Sequence, residues 1–139
     1  MATISAIRDA VQESMSAVSG IHRYDEGTGK ERLPAAVCFP STARRVTNKS
    51  TQMELTFVIE IHVGLGQGLP RAQDELDGYI NDTGTSSLAV SLEADKTLGS
   101  VVDTIRVGDS QSMFNSYSFG ELNGEKTLMA RVPLAVRAS

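Results

Sequence analysis

Met53-Glu54-Leu55-Thr56-Phe57-Val58-Ile59-Glu60-Ile61-His62-Val63 is the stretch that decides the fold. Met53, Leu55, Phe57, Ile59, Ile61 and Val63 alternate with Gln52, Glu54, Thr56, Val58, Glu60 and His62. Successive side chains of an extended chain point to opposite faces, so this period of two describes a strand with one face on a core and the other carrying charge.

Downstream, Gly64, Gly66 and Gly68 interrupt the strand. Pro70 suits the first turn of a helix whose Ala72, Leu76, Tyr79 and Ile80 share one side. Residues 82–86 end that helix, and Ser87 can cap a short third one, with Leu88 and Leu92 one turn apart, that finishes before Gly99. Val101 to Val107 alternates again, and Met113 to Phe119 does so less cleanly. Asn123-Gly124 is a tight-turn dipeptide leading into Glu125 to Arg137, where Leu128, Ala130, Val132, Leu134 and Val136 share a face. Pro133 lacks an amide donor, which predicts a bulged strand or one at an edge.

Upstream, Ser41 to Ser50 holds Arg44, Arg45 and Lys49 but one large apolar residue, Val46, and reads as an exposed loop or projecting hairpin. The apolar run Leu33 to Phe39, closed by Pro40, reads as a second strand. Before it lie a turn-rich stretch, Glu26 to Arg32, and a short extended piece, Ile21 to Asp25. Ile4, Ile7, Val11, Met15 and Val18 recur at helical spacing, predicting a helix over Thr3 to Ser19, capped by Thr3 and ended by Gly20. The expected fold is α+β: a mostly antiparallel sheet with an N-terminal helix and one or two further helices packed on one face.

The 139 residues fit a single domain spanning 1–139, with 41–50 as its projecting loop. No apolar window is long enough to span a bilayer, and the first ten residues do not read as a secretory signal, so a membrane role is not expected. Seventeen acidic residues against thirteen basic ones, a net charge of −4, weigh against a dedicated nucleic-acid binder. The lone cysteine, Cys38, sits in an apolar run and reads as a buried, reduced thiol.

The search for chemistry returns little. Gly64-Leu65-Gly66-Gln67-Gly68 lies between a strand and a helix, where phosphate-cradling loops occur. Its third glycine is misplaced for a dinucleotide fingerprint, and Leu69-Pro70 stands where a triphosphate loop needs Lys and Ser or Thr. His22 and His62 show no metal-ligand spacing and no nucleophile motif, and His62 is expected to face solvent. Asp74, Glu75 and Asp77 read as a solvated face on the first turns of the second helix. No enzyme activity, metal or cofactor is expected. Arg44, Arg45 and Lys49 gather basicity in an acidic chain, and with Gly64, Gly66 and Gly68 they are the candidate interface residues.

The layout resembles the tail terminator and minor tail proteins of long-tailed bacteriophages. The resemblance rests on the helix ending at Gly20, the extended Arg23-Tyr24-Asp25, the run Leu33-Pro34-Ala35-Ala36-Val37 and the long strand. It continues through Arg71 to Ile80, Ser87 to Ala94 and Thr97 to Asp103. It implies a homo-oligomeric ring, usually of six copies, that caps the tail tube, ends its polymerisation and joins the tail to the head connector. The implied partners are the major tail tube protein, the connector or neck, and viral DNA passing through. The implied location is the virion, reached by assembly in the host cytoplasm. A head-completion or stopper protein of the neck is the nearest alternative, and a small-ligand domain using residues 64–68 a more distant one.

Overall fold

The computed structural model describes residues 3–15, 22–23, 34–45, 52–66, 68–80, 87–108, 118–122 and 124–138. In chain order the elements are α1 (Ile4–Met15), β1 (His22–Arg23), β2 (Ala35–Arg45), β3 (Met53–Gly64), α2 (Leu69–Ile80), α3 (Leu88–Glu93), β4 (Thr104–Val107), β5 (Ser118–Leu122) and β6 (Glu125–Ala138). The strands form one six-stranded sheet in the order β1-β2-β3-β6-β4, with β5 also pairing β6. Every pairing is antiparallel except β1 with β2. The fold is α+β, as the patterning predicts.

The alternation in β3 becomes packing through register. Leu55, Phe57, Ile59, Ile61 and Val63 stand opposite Val136, Leu134, Val132, Ala130 and Leu128 of β6. Cys38 and Ala36 of β2 extend two of these rows, and Ile105 and Val107 of β4 extend two others. All are buried in one core cluster with Ile7, Val11 and Met15 of α1, Leu76 and Tyr79 of α2, and Leu88 and Leu92 of α3. The helices therefore cover this face of the sheet. Each large aliphatic side chain in it contributes about 2 kcal/mol by leaving water.

The helix starts follow their caps. Thr3 Oγ1 accepts the Ala6 amide at 3.0 Å, and Ser87 Oγ accepts the Val90 amide at 3.3 Å. Gly68, at φ +96°, stands just before α2, donating its amide to Leu65 O and accepting that of Ala72. The helix has its first residue at Leu69, so Asp74, Glu75 and Asp77 fall beyond its first turn. At the other hairpin, Gly124 has φ +83°, the left-handed conformation a tight turn requires.

The structure corrects three expectations. Of the two readings of 41–50, the structure gives residues 41–45 the hairpin and not the loop: β2 continues to Arg45, pairing Arg44 with Glu54 and Arg45 with Met53, after a register shift between Pro40 and Thr42. Pro40 and the sparse apolar content beyond it conceal this extension in the sequence. Residues 46–50, with Lys49, lie outside the described residues.

β6 is neither bulged against β3 nor at an edge, because its ladder with β3 runs unbroken from Met53↔Ala138 to Gly64↔Thr127. Pro133 fits because its carbonyl accepts the Gly108 amide at 2.7 Å, so its missing donor is turned away from β3. The third correction is at β4, which begins at Thr104; residues 101–103 form a bend before it. Of the weaker run Met113 to Phe119, only Ser118 and Phe119 lie within the described residues, in β5.

Candidate functional site

Four places bear on function: the end of the β2–β3 hairpin, the glycine connection, the sheet face away from the helices, and the β4 edge. Arg44 and Arg45 close β2 as it enters the hairpin. Gly64 is the last residue of β3, Gly66 lies in the turn, and Gly68 leads into α2. Among the described candidates, Arg44 and Arg45 thus sit at one end of β3, beside 53–54, and the glycines at the other, from 64, and they do not form one site.

Gly64 and Gly66 line a hollow of about 310 Å3 with Arg71, Glu75 and Glu125 among its walls. Two carboxylates beside a single guanidinium oppose a phosphate there, whatever freedom the glycines confer. A side chain at Gly66 would meet nothing within 4 Å.

The face away from the helices carries cross-strand charge pairs. Arg137 binds Glu54 Oε1 through Nη2 at 2.8 Å and through Nε at 3.1 Å, and Arg131 Nε donates to Glu60 Oε2 at 2.9 Å. Both guanidinium groups are about half exposed, so each pair contributes under about 1 kcal/mol to stability.

His62 overturns the expectation of a solvent-facing imidazole. It is buried, at 4% exposure, with Nδ1 2.9 Å from Thr127 Oγ1 and Nε2 3.4 Å from Glu60 Oε1. Alternation correctly placed His62 off the helix-facing side. Its neighbours in register, Ala35 and Met129, come from β2 and β6 and are visible only once the sheet is ordered.

At the β4 edge, Gly108 bonds to Pro133, so the Val107 amide one step earlier is turned outward from β6. It donates to Glu93 Oε1 of α3 at 3.0 Å. A hollow of about 500 Å3 opens here, with Glu93, Lys96, Thr104, Arg106 and Arg137 on its walls. Between α3 and β4 the chain makes a left-handed turn: Leu98, Gly99 and Ser100 have φ of 50°, 68° and 70°. Asp95 holds it, its carboxylate accepting from Thr97 Oγ1 at 2.9 Å, Thr97 N at 3.1 Å and Gly99 N at 2.8 Å. Those bonds, led by the Thr97 hydroxyl, pull the Asp95 carboxyl below the usual aspartate range. No sequence signal marked this turn, because two of its three left-handed residues are not glycine.

The Cys38 thiol is buried as expected, and burial pushes its pKa up to about 12 despite the opposing pull of Arg8. A thiol so held is a core side chain rather than a nucleophile. Among the described residues no three His, Cys, Asp or Glu side chains gather into a metal-binding group, and no helix is long and apolar enough to cross a membrane. No family model and no curated protein matches this chain.

Proposed function

We propose that this chain is a structural subunit of a long-tailed bacteriophage, forming a ring, six copies in the resembling family, that caps the tail tube, ends its growth and joins the tail to the head connector. One observation carries the reading: the sheet ends in two unlike edges on opposite sides. On one side, β1 pairs only Ala35 and Ala36, and among the described residues the rest of β2 has no outer neighbour. On the other side lies β4 with the α3 corner beside it. A subunit that meets its neighbours through two different surfaces builds a head-to-tail assembly, and such an assembly closes into a ring when its rotation closes. The resemblance in layout supplies the viral setting. The function is then geometric, with no bond made or broken, in the virion after assembly in the host cytoplasm.

The test is co-expression with candidate partners of the same phage. The reading expects rings of this protein on the ends of tubes built by the major tail protein. Association with the portal-side connector alone, with no affinity for tubes, would assign the chain to the neck as a stopper. A thermal shift with nucleotides that is lost in Gly66→Asp would instead revive the ligand-binding reading.

A further inference from the structure

We propose that the seam between neighbouring subunits is a strand pairing, β4 of one copy against the outer edge of the β2 segment Thr42–Arg45 of the next, with Glu93 as a displaceable plug on the β4 edge. This rests on the ring reading and names the surfaces it uses.

Register sets the match. Thr104 of β4 lies level with Arg137, Glu54 and Arg44 across the sheet, and Val107 lies level with Leu134, Phe57 and Pro40. β4 is antiparallel to β6, β6 to β3 and β3 to β2, so β4 runs opposite to β2. Rotation about an axis along the strands keeps levels unchanged. It brings one copy's β4 beside the next copy's Pro40–Arg45 with the polarity that an antiparallel ladder needs. The lower part of that edge, Ala35 and Ala36, is already taken by β1. Strand addition at an open edge is a common recognition mode, with main-chain bonds giving affinity and side chains giving choice.

Charge selects the same partner. The α3–β4 corner carries Glu93, Asp95 and Asp103 against Lys96 and Arg106, whereas Thr42–Arg45 brings two arginines and no carboxylate. Unlike charge across the seam favours this register over β4 meeting another β4. In the single chain the outward Val107 amide is held by Glu93 Oε1. Covering an edge donor in this way restrains unplanned pairing. When the neighbour's β2 docks, a main-chain carbonyl at the level of Pro40 takes that amide, and the Glu93 carboxylate is released into the seam.

Sedimentation of the full chain, read as the concentration of half-assembly, tests this. Arg44→Glu with Arg45→Glu should raise that concentration about tenfold or more in chains that circular dichroism shows to be folded. Asp103→Lys, beside Thr104 and so at the level of the arginines, should do the same. Mixed together, the two variants should form rings again, since every seam then joins unlike charges. If the unaltered chain assembles and either variant assembles equally well alone, or the mixture fails to recover, this seam is wrong and the ring reading stands. An unaltered chain that stays monomeric, both alone and in the presence of tail tubes, overturns the ring reading itself.

Discussion

His62 and Asp95 show how single residues hold this fold through polar contacts, one inside and one at the surface. The buried His62 ring is satisfied through Thr127 Oγ1. Thr127→Val keeps the shape and removes that partner, and should lower the unfolding free energy by about 1–3 kcal/mol, read from urea denaturation. An unchanged value would mean the ring finds another partner. For Asp95 the sign is that of a carboxylate with its folded pKa below its unfolded one. Its contribution is complete at neutral pH and fades below about pH 4, where the unfolded group takes up its proton before the folded one does. The stability difference between the unaltered chain and Asp95→Asn should therefore be constant from neutral pH down to that point and then shrink. A difference that grows on acidification would contradict the assignment. Cys38, its pKa pushed up to about 12, should resist alkylation at pH 8 until the chain unfolds.

At the scale of elements, the contrast between Pro133 and its neighbour Val132 is informative. The backbone groups of Pro133 face the β4 side, where its carbonyl takes the Gly108 amide, so those of Val132 face β3. Pro133→Ala should shift stability by less than about 1 kcal/mol, whereas Val132→Pro removes a central ladder bond and should cost about 3 kcal/mol or more. Equal effects in thermal melts would refute the orientation.

The same contrast explains what was legible beforehand. β3 and the inward face of β6 were plain from alternation, and α1 and α3 from spacing and from caps at Thr3 and Ser87. Continuation of β2 past Pro40 was not, because partner strands rather than its own side chains define it. Nor was the tolerance of Pro133, which depends on which neighbour a backbone group faces. The candidate residues were legible as types and in order, arginines before the long strand and glycines after it, but the residues that line the hollow beside the glycines, Arg71, Glu75 and Glu125, were not. The Glu93–Val107 contact joins positions 14 apart, a relation that appears only after α3 and β4 pack.

For the whole molecule, one face of the sheet makes the core with three helices, and its two edges are the surfaces to which the proposed ring assigns the neighbouring copies. In the proposed ring, a net charge of −4 on each copy would limit sticking of the DNA that passes through, since the charges are alike. A lumen lined by arginine and lysine would contradict that. Under the proposed function this protein ends the tail. Electron microscopy of particles made without it tests that through the distribution of tail lengths. Tails of uncontrolled length, overgrown beyond the normal value and detached from heads, are the expected outcome. Tails of normal length beside heads that fail to retain DNA would overturn the proposal.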